Sequence, residues 1–195
     1  VDRKAYAMER SIGRPFVDVS TVDIASGART KIKDRIEDQY VQASPAGRYL
    51  LYLLDDHYWT VDLKTGAQTN ITRAIAASFV DKQSDDTVKQ KPAFGVAGWA
   101  RDDGAVWIYD KFDIWSVSPD GTSSKRLTDG ALDQVRHRYI RLDPDADFVD
   151  PRGFVSLFGV WSKKSGFARL DVEGATPRVA RAVWLDKSVT GLSKA

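Results

Sequence analysis

Hydrophobic and polar residues alternate in short runs along the whole chain, and Gly, Pro and Asp separate the runs. In the run YWTVDL (58–63), Trp59, Val61 and Leu63 occupy every second position. Because successive side chains of a strand point to opposite faces, this period of two predicts a β-strand with two different faces. We find no convincing helical period in any segment, so the sequence predicts an all-β protein.

One pattern recurs four times. The segments STVDIASGARTKI (20–32) and WTVDLKTGAQTNI (59–71) align without a gap, IWSVSPDGTSSKRLT (114–128) is a third copy, and FARLDVEGATPRVAR (167–181) is a weaker fourth. Each copy predicts a strand, a turn whose Gly needs a positive φ, and a short polar strand that ends on one apolar anchor. The turn dipeptides are Ser26-Gly27, Thr65-Gly66, Asp120-Gly121 and Glu173-Gly174. The anchors are Ile32, Ile71, Leu127 and Val179.

A second predicted hairpin precedes the last three copies. Its corners fall at Ser44–Gly47, at Asp102–Gly104 and at Asp143–Asp145. Each unit therefore reads as a four-stranded meander, and meanders repeated at roughly 40–55 residues are typical of β-propeller blades. A β-sandwich is the alternative all-β architecture, but a sandwich does not require sequence self-similarity.

The repeat predicts one β-propeller segment over residues 1–195, with blade units at 1–35 (partial), 36–72, 93–130 and 136–182. A long insertion, 73–92, separates two of the units. A propeller closes with about four to eight blades. About three full blades and part of another are therefore expected to leave open edges that pair with another copy. The chain starts without Met and has no evident terminal tail, so we expect it to be a fragment of a longer protein.

The composition narrows the classes of partner. The 195 residues carry a formal net charge of +2, so no large basic field indicates nucleic acid or an anionic membrane. The chain has no cysteine, which excludes disulfides and thiolate metal sites but leaves periplasmic, secreted and cytoplasmic locations open. No apolar run approaches the roughly 20 residues that a membrane-spanning helix needs.

Candidate catalytic residues are sparse. The chain has no Gly-x-Ser-x-Gly segment, and His57 and His137 both fall at strand or strand-edge positions where packing is the ordinary role. The acidic pairs Asp55-Asp56, Asp85-Asp86 and Asp102-Asp103 read as turn formers and solvated loop charges. We therefore predict no catalytic residue in this chain.

No segment has the residue spacing of a calcium-binding loop or of a phosphate-binding loop. The segment from Asp143 opens like a calcium-binding loop, but Phe148 and Phe154 stand where such a loop needs Gly and a bidentate Glu. The segment GTSSK (121–125) lacks the first Gly of a phosphate-binding loop and does not open a helix. We predict no metal and no cofactor.

The densest basic cluster comprises Arg136, His137, Arg138 and Arg141. On a strand, Arg136 and Arg138 share one face and His137 takes the other. The cluster is a candidate contact for an anion or a peptide carboxylate, at a channel or a domain interface. The alternative is a set of surface charges that pair with nearby Asp.

Several segments, taken in order, carry a resemblance to a known family. They are RPFVDV (14–19) with GARTKI (27–32), QYVQASPAGRYLLYLLDDHYWTVDLKTG (39–66), GVAGWARDDGAVWIYDKFDIWSVSPDG (95–121), RLTDG (126–130), VRHRYIRLDPD (135–145) and WLDKS (184–188). This succession resembles the propeller region of bacterial prolyl-oligopeptidase-family serine peptidases. The resemblance implies that the propeller limits the access of peptides to an α/β-hydrolase domain. That domain carries the catalytic Ser, Asp and His and lies outside this chain.

Three functions follow as hypotheses. The first is a non-catalytic propeller portion of such a peptidase, whose partners are the hydrolase domain and a peptide substrate. The second is a free-standing propeller that binds a protein partner. The third is a carbohydrate-active propeller, which would need two inward-facing acids about 5–10 Å apart. The glutamates Glu9, Glu37 and Glu173 are isolated, so the resemblance does not imply exopeptidase specificity.

Overall fold

The computed structural model describes residues 1–13, 15–37, 41–87 and 91–193, which form four antiparallel sheets, none of them closed on itself. The all-β prediction is confirmed. Residues 38–40, near the start of the predicted unit 36–72, and residues 88–90, within the predicted insertion, lie outside the described residues.

The strands pair with their neighbours in the chain. Sheet 1 contains β1 (Phe16–Val22) and β2 (Arg29–Glu37). Sheet 2 contains β3 (Gln42–Ala43), β4 (Tyr49–Leu54), β5 (His57–Asp62) and β6 (Gln68–Asn70). Sheet 3 contains β7 (Val96–Trp99), β8 (Val106–Tyr109), β9 (Ile114–Val117) and β10 (Ser124–Arg126). Sheet 4 contains β11 (Val135–Ile140), β12 (Phe154–Gly159), β13 (Ser165–Asp171) and β14 (Arg178–Leu185). Sheets 2, 3 and 4 are thus simple four-stranded meanders.

The four sheets pack face to face in chain order, because the strands of sheets 2 and 3 are apolar on both faces. Sheets 1 and 2 enclose Val17, Val19, Ile36, Leu50, Tyr52 and Val61. Sheets 2 and 3 enclose Leu51, Leu53, Tyr58, Ile71, Val106, Ile108 and Val117. Sheets 3 and 4 enclose Trp107, Tyr109, Ile114, Leu127, Val135, Val155, Leu157, Ala168 and Leu170. The core is therefore a series of three apolar layers between sheets.

Two short helices depart from the prediction of a chain without helices. They are α1 (Ala7–Ser11) and α2 (Gly130–Asp133). Helix α2 is held by a contact that the local sequence does not encode, since the Asp113 carboxylate accepts the Gly130 and Ala131 N–H groups at 2.5 and 3.3 Å. Neither helix, nor any other in the described part of the chain, is long and apolar enough to cross a membrane.

The turns of the repeat agree with the sequence in three copies of four. Gly27, Gly66 and Gly121 have φ values of 71°, 75° and 71°. The fourth copy also turns at this point, but Gly174 is not among the glycines with a positive φ, so the conformation predicted for Glu173-Gly174 is wrong. In each of the first three turns a short loop, such as residues 63–66, joins the two hydrogen-bonded strand ends. In the fourth turn the loop is longer and comprises residues 172–177. A longer loop does not need the left-handed Gly.

Part of the insertion 73–92 belongs to the core. Phe79 and Val80 are both 1% exposed and lie in the layer between sheets 2 and 3. The Phe79 ring packs edge-on against Tyr58 and Trp115. The described part of the insertion therefore fills the junction of these two sheets.

Candidate binding site

Strand β11 carries the predicted basic cluster, and its register separates the cluster's members. Arg136 is paired with Phe158 of β12, and Arg138 is paired with Ser156. By register, these residues lie on the face of sheet 4 that is turned away from sheet 3, which we call the outer face, although the guanidinium of Arg138 reaches back to sheet 3. Arg136 and Arg138 share this face, as the alternation predicts, and His137 lies on the opposite one.

His137 is a core residue. It is only 4% exposed, its backbone N–H donates to the Phe112 carbonyl at 2.7 Å, and its Nδ1 lies 3.1 Å from the Val135 carbonyl. Burial lowers the pKa of the imidazole below its usual value, because the charged form loses its hydration. The other histidine, His57, has its Nδ1 3.0 Å from the hydroxyl of Thr72. Both rings therefore have local hydrogen-bond partners.

Arg138 connects sheet 4 to sheet 3. Its guanidinium donates to the carbonyls of Asp110 and Lys111 at 3.1 and 3.3 Å, and it lies 4.5 Å from the centre of the Tyr109 ring. Burial, and secondarily the charge of Arg136, lowers the pKa of Arg138 to about 10. The side chain stays charged at neutral pH, and most of its hydrogen bonds are already used.

Arg141 is separated from the other two arginines. Its guanidinium donates to the Ala146 carbonyl, and it lies beside Gly98 of sheet 3. The basic cluster of the sequence is thus divided by the strand geometry. Arg136 and Arg138 face one hollow, whereas His137 and Arg141 do not line it.

The hollow over the outer face has a volume of about 710 Å³, within the usual range of ligand pockets. Its floor is formed by strands β11, β12 and β13, and its wall by the chain after β14. The lining residues are Arg136, Arg138, Ile140, Ser156, Leu157, Phe158, Lys163, Ser165, Phe167 and residues 188–192. None of these described lining residues is acidic, so the hollow is a cationic and partly aromatic surface.

Two cations flank one ring in the hollow. The Arg136 guanidinium and the Lys163 ammonium lie 5.2 and 5.9 Å from the centre of the Phe158 ring, close enough for cation–π attraction. Neither cation forms an ion pair within the described residues. Their charges remain available to an anionic ligand.

The segment after β14 crosses the edge of the hollow. The Ser165 hydroxyl donates to the Lys187 carbonyl at 2.7 Å and accepts the Val189 N–H at 2.6 Å. These bonds hold an extended stretch of backbone against the sheet. Sequence reasoning missed Lys163, Phe158 and this segment, because only the strand register brings them next to Arg136.

A smaller hollow of about 390 Å³ lies between the insertion and the turn that joins β8 to β9. Lys111 bridges it by donating to the side chain of Gln83 at 2.7 Å. Two of the three acids that line it, Asp110 and Asp113, accept hydrogen bonds from neighbouring side chains. Asp110 accepts from the Phe112 N–H and the Trp115 indole at 2.8 Å, and Asp113 accepts from Thr128 at 2.7 Å. The hollow is also lined by Asp81 and by the exposed cations Lys82 and Arg126.

One acidic pair departs from its predicted role. Asp103 was predicted to be a solvated turn charge, but it is 1% exposed. Its carboxylate accepts hydrogen bonds from the Ser44 hydroxyl at 2.5 Å and from the Ala46 and Arg48 N–H groups at 3.1 and 3.3 Å. The residue is a buried acceptor that joins the corners of sheets 2 and 3. In the described part of the chain, no group of three or more His, Cys, Asp or Glu residues could hold a metal ion.

A scan against protein-family models finds no match to this chain, and a search of curated proteins finds no match either.

Proposed function

We propose that this chain is the non-catalytic β-propeller portion of a prolyl-oligopeptidase-like serine peptidase. In this role it limits the size of the peptides that reach a hydrolase domain and helps to orient them. The observation that carries the proposal is the series of four sheets that pack face to face in chain order, because a propeller is built by repeating small antiparallel sheets in this way.

The contacts between successive sheets support the propeller geometry. The Thr60 hydroxyl of sheet 2 donates to the Pro119 carbonyl of sheet 3 at 2.5 Å, and Lys125 of sheet 3 donates to the Ala175 carbonyl of sheet 4 at 2.9 Å. Each bond reaches a turn of the next sheet in the chain. The two donors occupy different strands of their units, but contacts between each sheet and the next one in the chain are the nearest-neighbour organisation of repeat proteins.

The positions of the polar groups support a non-catalytic role. The ring of His57 contacts Thr72 and that of His137 is buried, and within the described residues neither imidazole is hydrogen-bonded to a serine hydroxyl, as activation of a serine nucleophile would require. Hydrolysis then depends on a Ser, Asp and His supplied by the hydrolase domain.

The test is to express the open reading frame that contains this chain and, in parallel, residues 1–195 alone. Each protein is treated with a fluorophosphonate probe for active serines and assayed with peptide p-nitroanilides. We expect labelling and turnover only in the longer protein, and loss of both when the serine of its Gly-x-Ser-x-Gly segment is replaced by Ala. A reading frame without such a segment, or turnover by purified residues 1–195, would contradict the proposal.

The second candidate function is a free-standing propeller that binds a protein partner. The cationic hollow over the outer face of sheet 4 favours it, because Arg136 and Lys163 are charged, exposed and without an ion-pair partner in the described residues. A reading frame that ends without a hydrolase domain would leave this function as the better one.

A further inference from the structure

The smaller hollow lies at a junction of sheets that is complete within this chain. The insertion forms one side of it, sheet 3 and the β8–β9 turn form the other, and helix α2 contributes Ala131. Sheets 2 and 3 already pack against each other, so a further propeller blade, which would follow sheet 4, does not come between them. The hollow is therefore not a face that awaits the next sheet.

The wall that the insertion provides is held by the protein core. Val80 is 1% exposed in the layer between sheets 2 and 3, and it forms an isolated antiparallel bridge with Ala93. The next three residues, 81–83, line the hollow. Lys111 of the β8–β9 turn donates to Gln83 at 2.7 Å and joins this wall to sheet 3. A wall that is fixed before a ligand arrives lowers the ordering cost of binding.

The positive charges around the hollow are free, whereas most of the negative ones are already engaged. Lys82, Lys111 and Arg126 are exposed, and none of them forms an ion pair within the described residues. The Asp110 carboxylate accepts three hydrogen bonds from donors at 2.6–2.8 Å, and Asp113 accepts three at 2.5–3.3 Å. An anion can therefore pair with the three cations without displacing an internal partner.

Aromatic rings lie beside these cations. Phe112 and Trp115 are half-buried and line the hollow. Arg126 is paired with Trp115 across β9 and β10, which places the two side chains on one face of sheet 3. The equivalent pair in sheet 2 is Trp59 with Asn70, so the cation belongs to this junction and not to the repeat. An aromatic wall next to a guanidinium suits a ligand whose carboxylate stands beside an apolar group.

The third acid of the hollow supplies an acceptor. Asp81 is half-buried, and one of its carboxylate oxygens accepts the Gln83 N–H at 3.1 Å. Its other oxygen has no hydrogen-bond partner within the described residues. The hollow thus offers cations, aromatic rings and one free acceptor. The last residue of a peptide carries the matching groups, which are a carboxylate, a side chain and a backbone N–H.

We propose that this hollow binds the C-terminal residue of a peptide that ends in an aromatic side chain. The terminal carboxylate pairs with Lys82 and Arg126. The ring packs against Phe112 and Trp115, and the N–H of the last residue donates to Asp81. Binding of this kind breaks no bond and needs no hydrolase domain, so it goes beyond the proposed peptidase role and holds or fails separately from it.

The probe is the five-residue peptide Gly-Ser-Gly-Ser-Phe with fluorescein at its N-terminus and a free C-terminal carboxylate. One matched control is the same peptide as its C-terminal amide, and the other ends in Gly in place of Phe. Fluorescence anisotropy with this chain is expected to show saturable binding of the probe. Each control should bind at least about tenfold more weakly, because it loses either the charged contacts or the buried ring.

Competition identifies the chemistry that the hollow recognises. N-acetyl-phenylalanine has the carboxylate, the N–H and the ring of the last residue alone, so it is expected to displace the probe completely. Inorganic phosphate has charge but no apolar group. It should therefore need a concentration at least about tenfold higher for the same displacement, since the ring contributes to binding.

The variants locate the site. Lys82→Gln/Arg126→Gln should weaken binding of the probe about tenfold or more, because two charged contacts are lost. The control Lys64→Gln/Arg73→Gln removes two exposed cations that do not line the hollow and changes the net charge equally. Its affinity should stay within about twofold of the unsubstituted chain, because exposed charges at a distance are screened by salt. Circular dichroism and thermal unfolding establish that both double variants are folded.

Four results would overturn the proposal. Equal binding of the acid and the amide would show that the terminal carboxylate is not recognised, and equal binding of the peptide that ends in Gly would show the same for the ring. Displacement by phosphate at the concentration that N-acetyl-phenylalanine needs would show a general anion site. An equal loss of affinity in the Lys64/Arg73 variant would show that the peptide responds only to net charge.

Discussion

Two acidic pairs form turns of the same kind, but only the second pair buries one of its carboxylates. Asp55 and Asp56 join β4 to β5, and their φ values are 50° and 66°. Asp102 and Asp103 lie between β7 and β8, with φ values of 56° and 53°. Asp is among the residues that tolerate this left-handed conformation, so both pairs are read correctly as turn formers.

The difference lies in the neighbouring sheet. Asp55 is exposed at the tip of its hairpin, whereas Asp103 is buried beneath the corner of sheet 2 and accepts three hydrogen bonds from residues 44–48. A turn depends on the dihedral preferences of its own residues. Whether a side chain in that turn is buried and hydrogen-bonded depends on which residues of the neighbouring sheet contact it.

The largest effect is expected from Asp103→Asn. Asn keeps the size of the side chain and its tolerance of positive φ. Its amide NH₂ group, however, would face hydrogen-bond donors that a carboxylate oxygen of Asp103 accepts in the present protein. We expect the free energy of unfolding in urea to fall by about 2–3 kcal/mol, because charge-assisted bonds are lost and a buried donor is left unpaired.

The matched control is Asp102→Asn, which makes the same chemical change one residue earlier on an exposed side chain. Its effect should stay within about 0.5 kcal/mol, as for most surface substitutions. Equal losses in the two variants would show that the turn itself, and not the contact with sheet 2, is what the carboxylate stabilises.

A smaller effect is expected from Ser44→Ala. The Ser44 hydroxyl donates to Asp103 at 2.5 Å and accepts the Tyr49 N–H at 2.9 Å, so its removal leaves two buried groups with one partner fewer. We expect a loss of about 1–2 kcal/mol in the free energy of unfolding.

Ser26→Ala is the control for this prediction, because the Ser26 hydroxyl donates to Asp23 at 2.6 Å in an exposed turn. A loss below about 0.5 kcal/mol is expected there, since water replaces the lost bond. If the losses of Ser44→Ala and Asp103→Asn simply add in the double variant, the two side chains are not energetically coupled. The hydrogen bond between them would then not be what stabilises this corner.

Much of the fold follows from sequence because the repeat constrains it. Alternation at Trp59 and Val61 sets the two faces of β5, and the glycines at 27, 66 and 121 set three turns. The fourth turn could not be predicted, since its conformation depends on where Asp171 and Arg178 pair, and that register is a property of the whole hairpin.

The candidate site was predictable only in part. The period of two correctly places Arg136 and Arg138 on one face and His137 on the other. The partners Lys163 and Phe158 could not be found, because they lie on other parts of the chain and reach Arg136 through strand pairing. Alternation along one strand predicts which face a side chain occupies. The residues that lie beside it on neighbouring strands depend on the pairing register.

The smallest effect tests whether the two turns have the same backbone. Asp55→Gly and Asp102→Gly each relieve the cost of a non-glycine residue at positive φ, and each raises the conformational entropy of the unfolded chain by a similar amount. We expect both variants to stay within about 0.5 kcal/mol of the unsubstituted protein in urea unfolding, and to agree with each other. A clear loss in Asp102→Gly alone would mean that the exposed side chain also holds the corner against sheet 2, and the contrast between the pairs would then not rest on Asp103 alone.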